Sequence, residues 1–139
     1  MQSIFSNILK VNRVMKRLFF LLFVLSLGLT AGAQAVIKFD KTVHNFGTFK
    51  ESVVQKCVFE FTNTGDKPLT ISQAHASCGC TVPQFSKAPI PPGGKGKIYV
   101  TYNGKGRAGG QFRKVITVVS SASNSLARIY VEGTIEIED

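Results

Sequence analysis

Cys57-Val58-Phe59-Glu60-Phe61-Thr62-Asn63-Thr64-Gly65-Asp66-Lys67-Pro68-Leu69-Thr70-Ile71-Ser72-Gln73 is the stretch on which the fold turns. Cys57, Phe59 and Phe61 alternate with Lys56, Val58, Glu60 and Thr62, the period-two pattern of a strand with one buried face. Asn63-Thr64-Gly65-Asp66 then reads as a turn, because Asn and Gly tolerate the positive φ of a tight reversal. Beyond it, Leu69 and Ile71 share one face of a second strand.

The same alternation continues in both directions. Upstream, Ile37 and Phe39 alternate with charged neighbours. Downstream, Pro91-Pro92-Gly93-Gly94 punctuates the chain before Ile98, Val100 and Tyr102, which alternate with Tyr99 and Thr101. Phe112, Ile116 and Val118 follow, then Ile129, Val131 and Ile135. No stretch places apolar residues at helical spacing over three turns. The chain has 139 residues and 44% hydrophobic composition, enough for one core and too little for two. Short strands separated by turn signals predict an all-β domain, a single immunoglobulin-like antiparallel β-sandwich of about seven strands.

The N-terminal quarter differs in kind. Met15-Lys16-Arg17 precedes an apolar run from Leu18 to Leu29 and then Thr30-Ala31-Gly32-Ala33-Gln34-Ala35. Cations, a greasy run and small residues form the layout of a secretory signal peptide. The run is shorter than the ~20 apolar residues that a spanning helix needs, so cleavage is expected rather than a retained anchor. Ala31-Gly32-Ala33 would leave Gln34 as the mature start, and Ala33-Gln34-Ala35 would leave Val36; the first is favoured. The expected division is a signal peptide over 1–33 and a sandwich over 34–139. Met1 to Val14 add little, and Met15 is a second candidate start. No cysteine lies near the cleavage region to take a lipid. Contact with the membrane is therefore expected only through the signal peptide, before cleavage.

Cleavage removes Lys10, Arg13, Lys16 and Arg17, so the balance falls from 17 minus 8 to 13 minus 8, or +5. A modest, scattered positive charge fits solubility and weak attraction to anionic envelope polymers. Without an aromatic-interleaved basic stripe, nucleic acid is not an expected partner.

His44-Asn45-Phe46-Gly47, then Phe59-x-Phe61-x-Asn63-x-Gly65-x-x-Pro68-Leu69-x-Ile71, Ser77-Cys78-Gly79-Cys80-Thr81-x-Pro83, and Pro92-Gly93 before Ile98 to Tyr102 form an ordered series. In it the chain resembles the bacterial domain-of-unknown-function family 1573, over roughly Phe39 to Gly133. Ser-Cys-Gly-Cys-Thr is the most specific element. The resemblance implies an Ig-like domain related to the ASH/HYDIN domains of ciliary and centrosomal proteins and to pilus chaperones, and it implies no biochemical role. Asn45 stands where the family usually has Asp, Ser52 where it often has Gly, and Cys57 is an extra cysteine.

Three cysteines in an exported domain leave at least one thiol unpaired within a monomer. In an extended strand Cys78 and Cys80 would point to one face but lie too far apart. A bend at Gly79 would bring their Cα atoms into the ~4.4–6.8 Å disulfide window. A fixed staple or small core residues is the favoured reading. A labile thiol-disulfide pair is the sharper one, weakened because no helix N-terminus is expected there to stabilise a thiolate. Soft-metal binding by Cys78, Cys80 and His75 is the third. His75 has the strand parity opposite to the cysteines, so convergence would need a turn near Ala76. Cys57 occupies an inward strand position and could pair with either partner.

His44 reads as a hydrogen-bonded turn residue, and no set of nucleophile, base and orienter can be assembled around it. Gly104-Lys105-Gly106-Arg107-Ala108-Gly109 formally matches a dinucleotide-binding glycine pattern. That pattern needs a following helix, and Gln111 to Val119 reads as a strand, so the glycines are expected in a hairpin connection. The function expected is a non-enzymatic binding or assembly module, periplasmic or on the cell surface, with no cofactor and an unknown envelope protein or polymer as partner. The alternative is a periplasmic thiol-disulfide or soft-metal-handling protein using Cys78 and Cys80.

Overall fold

The computed structural model describes residues 12, 15–17 and 32–139. The Leu18–Leu29 run lies outside the described residues, and among those described no helix is long and apolar enough to cross a membrane. The compact unit Ala33–Asp139 carries eight strands: β1 (Ile37–Phe39), β2 (Val43–Lys50), β3 (Gln55–Asn63), β4 (Ile71–Ala76), β5 (Thr81–Phe85), β6 (Lys95–Tyr102), β7 (Gly110–Ser120) and β8 (Leu126–Glu136). The first sheet runs β1-β3-β6-β5 and the second β2-β8-β7-β4, as in an Ig-like sandwich.

The alternating residues meet between the sheets. Phe59 and Phe61 are 0% and 2% exposed and lie against Ile98, Val100, Ile116, Val118, Ile129 and Val131. Burying side chains of this size stabilises the fold by ~1.5–3 kcal/mol each relative to exposure.

The eight strands exceed the expected count of about seven by one, and two of them, β2 and β5, are not legible in the alternation. β2 was masked in sequence by a bulge between Asn45 and Thr48, with Gly47 at φ 71°, which breaks the alternation. β5 was masked by Pro83. One pair also departs from the antiparallel pattern, since β2 runs parallel to β8 with Val43 opposite Tyr130. His44 accordingly lies in a strand and not in a turn.

Asn63 and Gly65 have different roles from those expected. Neither has a positive φ. Asn63 is fully buried, and its side chain makes four hydrogen bonds. Oδ1 accepts from the Val36 amide at 3.3 Å and the Gly65 amide at 3.0 Å. Nδ2 donates to the carbonyls of Lys67 at 2.7 Å and Ile90 at 3.1 Å. Gly65 is needed for space: a Cβ there would collide with the backbone of Gln34, Ala35 and Val36. The motif thus ties the N-terminal segment and the loop before β6 to the end of β3.

The outer strands of the first sheet are both blunted. The main-chain groups of Ile37 point away from β3, and Asn124 takes both: its Oδ1 accepts from the Ile37 amide at 3.1 Å and its Nδ2 donates to the Ile37 carbonyl at 2.8 Å. On the far side, the Asn103 amide donates to the Cys80 carbonyl at 2.8 Å, which fixes the phase of the β5–β6 ladder. Thr81, Pro83 and Phe85 then direct their main-chain groups outward, so Pro83 removes the middle donor of that edge.

Candidate functional site

The Ser77-Cys78-Gly79-Cys80-Thr81 element is the passage by which the chain leaves the second sheet and enters the first. Ser77 still belongs to the β4–β7 ladder, its amide donating to the Val115 carbonyl at 3.0 Å. Cys80 already belongs to the ladder with β6. Only Cys78 and Gly79 therefore lie between the two sheets, and the Thr81 amide closes the turn on the Cys78 carbonyl at 3.3 Å. Cys78 and Cys80 are joined as a disulfide, with Cα atoms 5.3 Å apart. The bend does not require glycine at its centre. Gly79 is exposed, its φ is not positive, and a Cβ built there meets nothing within 4 Å.

Around the sulfurs lies a second, smaller core. Cys80 is 3% exposed and packs with Phe49, Tyr102 and Ile135, while Cys78, Phe46 and Phe112 cover the group. Tyr102 of the first sheet stacks on Phe112 of the second, with centroids 4.2 Å apart and planes within 4°. Phe49 stands edge-on to both, at 6.1 and 5.9 Å. Such pairs add ~0.5–1.5 kcal/mol each beyond their buried area. The hydroxyl oxygen of Thr81 lies 3.8 Å from the Cys78 sulfur and 3.7 Å from the Cys80 sulfur. Burial also raises the Tyr102 phenol pKa.

The other sequence candidates do not converge on this pair. Cys57 is buried in β3 as a free thiol, and burial pushes its pKa up to about 11, away from reactive thiolate. It is paired across to Val100, which faces Pro83. That leaves it two strands and three residues from Cys80, about 14 Å, beyond disulfide reach. His75 is exposed on β4, whereas Cys80 is buried, and among the described residues no three metal-ligating side chains cluster. His44 packs edge-on against Phe46 at 4.8 Å and accepts from Lys41 Nζ at 3.0 Å on Nδ1. Burial, then the Lys41 cation, lowers its pKa, which favours the neutral ring.

The glycine-rich Gly104–Gly109 segment is a connection, but between sheets rather than within a hairpin, since β6 and β7 belong to different sheets. It is tied down at Gly106, whose amide donates to Glu51 Oε2 at 3.3 Å. Sequence reading did not mark the groove of about 590 Å³ on the outer face of the second sheet. It lies beside the β2 bulge and is lined by Asn45, Thr48, Gln111, Arg113, Glu132 and Thr134. Its charges are already joined, Arg113 to Glu132 at 3.3 Å.

The fold is shared with proteins of very different sequence. A crystal structure of a protein of unknown function from Porphyromonas gingivalis W83 superposes with a TM-score of 0.64 at 19% identity, covering 77% of this chain and 50% of that chain. This chain thus spans half the length of that protein. The ASH / PapD-like domain 7 of human CEP192 superposes at 0.58 with 11% identity, covering 81% of this chain and 93% of that one. The periplasmic chaperone SfaE gives 0.52 at 9% identity, over 75% and 59% of the respective chains. No curated protein matches the sequence. Residues 37–135 match the family described as "Protein of unknown function (DUF1573)", and the chain belongs to that family.

Proposed function

We propose that this chain is an exported, non-enzymatic binding or assembly module of the cell envelope. The observation that carries the reading is the state of Cys78 and Cys80. The most chemically suggestive pair in the chain is closed on itself at a sheet crossover, with Cys80 buried under aromatic rings. A staple of this kind shapes a sandwich and leaves its faces and edges for recognition. The likeness to the ASH / PapD-like domain of CEP192 and to the chaperone SfaE supports the reading as an analogy of fold.

Three measurements test it. Intact mass of protein from its native host should give a start at Gln34 or Val36; retention of Lys16 and Arg17 would remove export. Purified protein should show no disulfide exchange with a glutathione buffer above a thiol-blocked control, while a partner co-purifies from native envelope. Exchange that disappears in Cys78→Ser would replace the binding module with a thiol-disulfide protein.

A further inference from the structure

The two outer faces of the sandwich are charged differently. On the second sheet the outward Arg113 is joined to Glu132 at 3.3 Å, and Lys50 of the same sheet to Glu138 at 3.5 Å. The aromatic side chain there, Tyr130, is covered by its own protein's cation, the Arg113 guanidinium lying 4.5 Å from the ring centroid. Most of the charge on that face is paired, and the exposed Arg128 and Glu136 of β8, which form no salt bridge among the described residues, balance each other.

The first sheet presents Lys38, Lys56, Lys95 and Lys97 outward, with Glu60 as the one carboxylate on its strands. Glu60 is held by Lys97 at 3.2 Å, and among the described residues Lys38, Lys56 and Lys95 form no salt bridge. Asp40, just past β1, has Lys41 beside it and adds no net charge. The register fixes the layout. Lys38 and Lys95 flank Thr62 on the two neighbouring strands, about 10 Å apart, and Lys56 lies six residues along β3, about 20 Å away. Between them Tyr99 stands 52% exposed, with Val58 and Gln84 opposite it on β3 and β5.

From this we infer that the outer face of the first sheet binds an acidic polysaccharide, the sugar ring stacking on Tyr99 and its carboxylates meeting the lysines. The inference rests on the binding-module reading and names its ligand class. Cations spread over about 20 Å suit a ligand with charges repeated along its length, not one small anion. All four cations are lysines, point charges suited to scattered carboxylates, without the planar fork by which arginine grips phosphate. A lone aromatic flanked by the Gln84 amide and the Thr101 hydroxyl, with only Val58 and Val82 as apolar neighbours, suits a hydroxyl-rich ring, whereas single-stranded nucleic acid is tracked by successive aromatics. A protein partner would want a larger apolar centre.

The test uses the chain from Gln34 to Asp139 and alginate, a polyuronate, in affinity electrophoresis at low salt, with dextran, poly-dT and phosphatidylserine vesicles as parallel arms. The chain has no tryptophan, so tyrosine fluorescence gives a second readout. Alginate should retard the protein and dextran should not. Tyr99→Ala should weaken retention about 10-fold, the loss expected for one stacking platform. The Lys38→Gln/Lys95→Gln pair should weaken it as much and flatten its salt dependence, while Arg128→Gln on the other face changes nothing. All four positions are exposed, and unchanged circular dichroism certifies each fold. No retention by alginate, or retention indifferent to Tyr99→Ala, overturns the inference. Tighter binding to poly-dT or to vesicles overturns it in favour of nucleic acid or a membrane surface. If alginate fails while a partner still co-purifies from envelope, this inference falls and the binding-module reading stands; if neither occurs, both fall.

Discussion

The two ends of the sandwich are closed by different means. At one end Asn63 gathers four main-chain groups from the N-terminal segment, the turn after β3 and the loop before β6. At the other a disulfide braces the β4–β5 crossover, and Tyr102, Phe112 and Phe49 interlock between the sheets. A covalent bond looks like the stronger fastening. The physics ranks them the other way: the disulfide closes a ring of three residues and removes little freedom from the unfolded chain, while each buried group orphaned by the loss of Asn63 costs ~1–3 kcal/mol.

The largest effect should come from the core on which both ends rest. Phe59→Ala or Phe61→Ala should cost about 3–5 kcal/mol in urea unfolding, a large part of the ~5–15 kcal/mol available to a domain. A loss below about 1 kcal/mol at both sites would invert the assigned strand face.

Next, Asn63→Ala should cost about 3 kcal/mol, since the Val36 and Gly65 amides and the Lys67 carbonyl, all part-buried, lose their partner, while the Ile90 carbonyl keeps the Leu69 amide. Asn63→Asp sharpens the point. It keeps the acceptor for the Val36 and Gly65 amides and turns the two donated bonds into repulsion against carbonyl oxygens, so it should be no milder than Ala.

Opening the other end should cost less. Cys78→Ser/Cys80→Ser should destabilise by about 1.5 kcal/mol, the chain-entropy value for so short a ring. If the double variant costs more than Asn63→Ala, the ranking of the two ends is reversed, and the aromatic group around Cys80 depends on the bridge.

The smallest effect is a slope. The Cys57 thiol titrates at about 11 in the fold against 9.0 ordinarily, because burial disfavours the thiolate. Between those values the unfolded chain has lost a proton that the folded chain keeps. Stability should therefore fall as pH rises from 9 to 11. Cys57→Ala should flatten the fall while changing stability little near neutral pH, since a buried free Cys behaves as a small hydrophobe. A residual slope is expected in the same direction from Tyr102, whose phenol pKa burial raises, and from Lys97, whose pKa its hydrogen bond to Glu60 raises.

Much of the fold could be read from alternation alone, because the inward residues of β3, β6, β7 and β8 repeat every second position without interruption. Where a backbone irregularity breaks that period the reading failed, as at the Asn45–Thr48 bulge and at Pro83. Asn63 and Gly65 were rightly singled out and wrongly explained. Their types suit a turn by local rules, but their work is long-range, and no short window shows that Gln34 approaches Gly65. The reverse holds at Gly79, where local reasoning demanded a glycine that the folded turn does not use. The charge contrast between the outer faces was invisible for a further reason. The lysines of the first sheet come from three strands, Lys38 from β1, Lys56 from β3 and the Lys95/Lys97 pair from β6, and only the strand register assembles them.

The blunted edges of the first sheet bear on crowding. A sheet propagates from molecule to molecule only if one copy offers a free edge and the next can dock on it. Here one edge is filled by the Asn124 side chain and the other lacks a donor at Pro83. Many copies arrayed along a polymer would sit at high local concentration, the circumstance in which open edges nucleate fibrils. With both edges of that sheet blunted, its broad face can be held against a ligand while the sheet itself offers neighbouring copies a poor template for growth.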